Sequence, residues 1–106
     1  MATGRLGVQA ISATTLTTVY TVPSGYYTVL NVSITNRNAS AVKIRLAMSS
    51  AATPNIQEYL EYDTIIVPSG VFERTGLVLG PGLNIVVYSD TANLGCTVYG
   101  IETATS

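Results

Sequence analysis

Histidine and tryptophan are absent from this 106-residue chain, cysteine occurs once, and only 10% of the residues are charged. Each absence excludes something. Without histidine there is no Ser-His-Asp triad, no imidazole base and none of the commonest zinc ligand. A single cysteine, Cys96, closes no internal disulfide, and its setting in the run Leu94-Gly95-Cys96-Thr97-Val98 marks a small core residue rather than a reactive thiol. The five basic residues, Arg5, Arg37, Lys43, Arg45 and Arg74, are scattered and the net charge is −1, so no footprint for nucleic acid is built. No stretch approaches the roughly 20 apolar residues of a membrane span, and the first residues lack the apolar run of a secretory signal. Synthesis and folding in a cytoplasm, with no membrane partner, is the expectation.

What the chain does have is apolar residues, 47% of the total, and an abundance of Ser and Thr. Solubility then rests on hydroxyls and amides, a surface that suits a subunit partly covered by neighbours. A chain this long makes one domain, residues 1–106, with one modest core.

No window shows helical spacing, whereas β-branched and aromatic residues alternate between clusters of Gly, Pro, Asn and Ser. The chain is therefore expected to be all-β. In 28–35, Leu30, Val32 and Ile34 point one way and Asn31, Ser33 and Thr35 the other. In 41–48, Val42, Ile44, Leu46 and Met48 face a core while Lys43 and Arg45 face away. The corner Thr35-Asn36-Arg37-Asn38-Ala39-Ser40 reads as a turn that pairs these two strands antiparallel. Val-Pro-Ser-Gly occurs at 22–25 and again at 67–70. Pro presets the second position of a type I turn and Gly suits the fourth, so each copy is expected to close a hairpin, 15–22 with 26–35 and 58–67 with 71–79. Gly76 is expected to allow a bulge. With a short strand near 6–11 the count reaches eight, an antiparallel β-sandwich of jelly-roll type; an immunoglobulin-like sandwich is the alternative.

Chemistry at neutral pH would have to rest on Glu58, Glu61, Asp63, Glu73, Asp90 and Glu102. Glu61 and Asp63 lie two apart, side by side on one strand face rather than across a cleft, so a solvated face is the better reading. Glu58, Glu61 and Asp63 leave calcium open, with Glu61 or Glu73 paired to Arg74 or Arg45 as the commoner use of such charges. No catalytic, cofactor or metal site is assigned, and an enzyme is the least favoured class.

Seven tyrosines against one phenylalanine is a distinctive choice, because Tyr couples apolar area to a hydroxyl at interfaces and at sugar-stacking surfaces. Tyr26 and Tyr27 follow the first Val-Pro-Ser-Gly, and one of them must point outward. Tyr59 and Tyr62 are expected on opposite faces. In 83–88 both faces are apolar, with Val86 and Tyr88 opposite Leu83, Ile85 and Val87; the second cover is either a neighbouring subunit or an N-terminal arm over 1–10. Tyr26, Tyr27, Val86 and Tyr88 are thus the expected self-association residues. The polar arm, through Arg5 and Leu6, is the expected contact with a larger assembly.

Tyr20-Thr21-Val22-Pro23-Ser24-Gly25, the run from Asn31 to Leu46, Glu61-Tyr62-Asp63, Glu73 to Leu79 and Val98-Tyr99-Gly100-Ile101-Glu102 together resemble small structural proteins and modules of tailed-bacteriophage virions. The resemblance runs from about Thr14 to Glu102. It implies a β-sandwich building block: a capsid decoration (cement) protein, a homotrimer bound to the major capsid protein and assembled in the host cytoplasm, or else a module of a tail fibre or baseplate. The rival from another class is a carbohydrate-binding, receptor-binding sandwich using Tyr26, Tyr27 or Tyr59. Its mark would be exposed aromatics clustered with carboxylates.

Overall fold

Alternation of β-branched and hydroxyl residues becomes strand over most of the chain. The computed structural model describes residues 3–105. Its strands are β1 (Thr3–Ile11), β2 (Thr17–Thr21), β3 (Tyr26–Asn36), β4 (Val42–Ser49), β5 (Tyr59–Ile66), β6 (Val71–Leu79), β7 (Asn84–Ser89) and β8 (Leu94–Ala104), with one 3₁₀ turn at Ile56–Glu58. Two four-stranded sheets form, in the orders β1-β8-β3-β6 and β2-β7-β4-β5, and every strand pair is antiparallel. They pack face to face as a sandwich around Leu30, Val32, Ile34, Ile44, Leu46, Leu79, Ile85, Val87 and Leu94, all at most 1% exposed. Each such side chain contributes about 1.5–3 kcal/mol by leaving water.

The pairs β4–β5, β3–β6, β2–β7 and β1–β8 are nested, as though one long hairpin were rolled on itself. That arrangement overturns the expected local pairings. β2 and β3 lie in different sheets, and so do β3 and β4, and β5 and β6. Both Val-Pro-Ser-Gly copies therefore carry the chain between sheets instead of closing hairpins. In the first, Tyr26 N–H donates to the Pro23 carbonyl with Gly25 at φ +82°, so the turn begins one residue late. In the second, Gly70 N–H donates to the Val67 carbonyl and Ser69 holds φ +57°, a type II position that type I lacks. The periodicity of β3 and β4 is present as expected, but it records which face meets the core and not which strand lies alongside.

Bulges account for other differences. On β2, Thr18 opposes Val86 and Tyr20 opposes Ile85, so Val19 is the extra residue and both Val19 and Tyr20 are buried. On β6, Leu77 opposes Leu30 and Arg74 opposes Val32; Gly76, at φ +71°, donates its N–H to Asn31 Oδ1 at 3.1 Å, the bulge expected there. The segment expected as an extended N-terminal arm is an edge strand: from Thr3 onward it pairs with β8. Residues 1 and 2 lie outside the described residues.

Two polar networks tie the sandwich together. At one end, Asn36, 0% exposed, donates through Nδ2 to the carbonyls of Ser40, Ile66 and Val67 and accepts at Oδ1 from Asn38 N and Nδ2. Asn38 extends the network to the Ala92 carbonyl, so the β3–β4 corner, the second Val-Pro-Ser-Gly and the β7–β8 loop share one knot. Toward the other end, Tyr20 of one sheet donates its hydroxyl to Glu102 Oε2 at 2.5 Å and lies 2.9 Å from Thr28 Oγ1, both on the opposite sheet.

Burial, then the Glu102 carboxylate, push the Tyr20 phenol from 10.0 up to about 12, and burial pushes the Cys96 thiol from 9.0 to about 12. In both cases the folded chain holds the proton more tightly than the unfolded chain does. Stability is therefore full below about pH 9 and falls as pH rises toward 12, Cys96 acting from 9 and Tyr20 from 10. A urea-midpoint series across this range should show that decline, and Tyr20→Phe should flatten the part between 10 and 12. An unchanged decline in Tyr20→Phe would assign it to other groups.

Candidate binding surfaces

The two outer faces of the sandwich differ in character. On the sheet β1-β8-β3-β6, Val78, Val29 and Ile101 are in register across β6, β3 and β8 and stand 61%, 44% and 51% exposed. They form a continuous apolar row. Val29 is on this face by parity, since Thr28 and Leu30 on either side of it are buried. Tyr27, 39% exposed, extends the row on β3. Arg5 lies in the adjacent row, opposite Tyr99, whose hydroxyl donates to Glu73 Oε2 at 3.1 Å.

On the sheet β2-β7-β4-β5 the outer face is aromatic and charged. The Arg45 guanidinium sits 4.0 Å from the Tyr62 ring centre and 4.9 Å from that of Tyr88, and its Nε donates to Asp63 Oδ1 at 2.8 Å. Tyr59 meets Tyr62 edge to face at 5.2 Å between centres. The hydrogen bond from Arg45 holds the Asp63 carboxyl below its usual range, and the same bond raises the Arg45 guanidinium.

The register explains how Tyr62 and Asp63 come to lie beside Arg45. Ile44 opposes Thr64 and Leu46 opposes Glu61, so two residues of β5, Tyr62 and Asp63, stand against Arg45 alone. Asp63 holds φ +56° to make the bulge. In a regular strand Asp63 would point inward with Glu61; here it shares the outer face with Tyr62. A second irregularity at Leu60 places Tyr59 opposite Ala47, so Tyr59 and Tyr62 share a face instead of the opposite faces expected.

The expected contact residues are dispersed by the fold. Arg5 is exposed, whereas Leu6 is turned into the sandwich and packs on the core. Tyr26 packs on the core as well, leaving Tyr27 as the outward member of the pair. Val86 is 1% exposed in the single chain and offers no surface to a second copy. In register it lies between Thr18 and Ala47, with Tyr88 and Arg45 one step along, and the single chain already buries it. Tyr88 belongs to the Arg45 cluster. Tyr27 and Tyr88 therefore lie on opposite outer faces.

The remaining acidic residues have structural partners. Glu61 pairs with Arg74 across the β5 and β6 edges, linking the two sheets, and also accepts from Thr64 Oγ1 at 2.8 Å. Glu58 accepts from the backbone N–H groups of Asn55 and Ser50, which hold its carboxyl below the ordinary range and order the loop before β5. Among the described residues no three His, Cys, Asp or Glu side chains gather to hold a metal ion. Arg45, Tyr62, Asp63, Val29, Val78 and Ile101 were not singled out by sequence as surface residues of one site. Parity identifies the last three, but nothing local reveals the β5 bulge. No family model, no curated protein and no solved structure matches this chain, and the geometry of these two faces is what the functional reading rests on.

Proposed function

We propose that this chain is a non-enzymatic structural protein of a tailed-phage virion, a capsid decoration protein that docks through the outer face of sheet β1-β8-β3-β6. The observation that carries the reading is the row Val78, Val29 and Ile101. It is apolar and crosses three strands, a surface that suits a broad macromolecular partner better than a small ligand. Arg5 beside it supplies a charge at the rim, where charge contributes to orientation more than to affinity. The nested strand order supports the jelly-roll reading of the sandwich over the immunoglobulin-like one. The major capsid protein as partner, a homotrimer and a location on the virion belong to the same proposal.

Cosedimentation with expanded phage heads tests it. Wild-type protein should pellet with heads and raise their disruption temperature, while Val29→Lys with Val78→Glu, an opposite-charge pair in register, should stay in the supernatant and keep its melting curve. Failure of the wild type to bind heads sinks the reading; binding to purified tails instead would move it to a fibre or baseplate module. Outward point substitutions are cleaner here than trimming residues 1–7, because that segment carries β1 pairing with β8.

A further inference from the structure

We propose that the opposite outer face, on sheet β2-β7-β4-β5, is a binding platform for a neutral saccharide, formed by Tyr62, Tyr88, Arg45 and Asp63. The inference is independent of capsid docking, which uses the other sheet. Three observations carry it. First, the bulge in β5 spends a left-handed residue, Asp63 at φ +56°, to put a ring and a carboxylate on the same face beside Arg45. Such strain is sustained where the surrounding structure holds a side chain in an unusual aim.

Second, the group is assembled before any ligand arrives. Arg45 is fixed between two rings and by its bond to Asp63, and Tyr59 abuts Tyr62, so little side-chain freedom remains to be lost on binding. Third, the ion pair uses only Nε and Oδ1; among the described residues the two Nη groups of Arg45 and Oδ2 of Asp63 make no hydrogen bond. These donors and an acceptor lie side by side next to a ring that is 50% exposed. A sugar hydroxyl both donates and accepts, so neighbouring hydroxyls can accept from Nη and donate to Oδ2 while the C–H face of the pyranose packs on the part of the Tyr62 ring that Arg45 leaves exposed. The guanidinium charge is already balanced by Asp63, so the pair itself presents no net charge and a neutral saccharide suits it.

The test is a heteronuclear NMR titration of the full chain, following the Arg45 Nε–H and the backbone amides of 62 and 63. The probes are neutral tetrasaccharides built from glucose, galactose, N-acetylglucosamine or rhamnose, at millimolar concentration. At least one should shift these resonances saturably, and Tyr62→Ala should weaken that binding about tenfold, the worth of one stacked ring. Asp63→Asn, which keeps the shape but removes the balancing charge, should weaken it too, while Val78→Lys on the other face should leave it unchanged. If no tetrasaccharide shifts the platform, or if Tyr62→Ala binds as the wild type does, the proposal is overturned. Loss of head binding with sugar binding retained would overturn the capsid reading alone.

Discussion

Asn36→Ala is expected to lower stability by about 3 kcal/mol, because buried and part-buried groups that lose a partner cost roughly 1–3 kcal/mol each. The Asn36 amide serves three carbonyls from two separate chain segments, and its oxygen orients Asn38, which reaches a third. Alanine takes a donor from the buried Ile66 carbonyl and the part-buried Ser40 carbonyl and leaves Val67 with its bond from Gly70 N–H. For a domain of this size that loss corresponds to a melting temperature lower by about 15 °C or more. Asn36→Asp should be worse, since it sets a carboxylate against the same three carbonyls. Urea unfolding of both variants checks the claim; a loss under about 1 kcal/mol would show that the knot is not a tie between loops.

Gly100→Ala should be comparably severe for a different reason. A Cβ at Gly100 would lie 2.1 Å from the Val29 carbonyl oxygen and 2.7 Å from the Leu30 Cα. Those are backbone atoms of β3, the strand paired with β8 in the middle of its sheet, and they cannot move without opening the ladder. Overpacking of side chains costs roughly 1–3 kcal/mol, so a clash with backbone should cost about 3 kcal/mol or more. Gly95 provides the matched control: it sits on the same strand with nothing within 4 Å of an added Cβ. Gly95→Ala should change stability by less than about 0.5 kcal/mol. Equal effects of the two substitutions would mean that chain entropy, rather than close approach, governs both sites.

These two residues show which information the sequence carries and which it does not. A period of two reports the face of a strand, so the buried sets of β3 and β4 are legible from Leu30, Val32, Ile34, Ile44 and Leu46 alone. Parity also places Val29 and Val78 outward. Turn residues report a change of direction but not its destination, so Val-Pro-Ser-Gly looks the same whether it returns beside its own strand or crosses to the other sheet. Asn36 is recognisable as a turn former, yet its role depends on carbonyls at Ile66 and Val67 that come near only after folding. The saccharide platform is hidden for a similar reason. Tyr62 and Asp63 appear to alternate, and only the register against Arg45 shows that they do not.

The nesting of strand pairs has a consequence for biosynthesis. Only β4 and β5 are neighbours both in sequence and in a sheet; β3 pairs with β6 and β8, β2 with β7, and β1 with β8 alone. On the ribosome, β1 and β2 therefore emerge without partners, and β1 must wait for β8. Such non-local pairing slows folding and leaves strand edges open to neighbouring chains in the meantime. The sandwich can close only once β8 is available, and the β4–β5 hairpin is the pair that needs no later strand. Newly made chains thus pass through a concentration-sensitive interval in which finding β8 competes with finding one another.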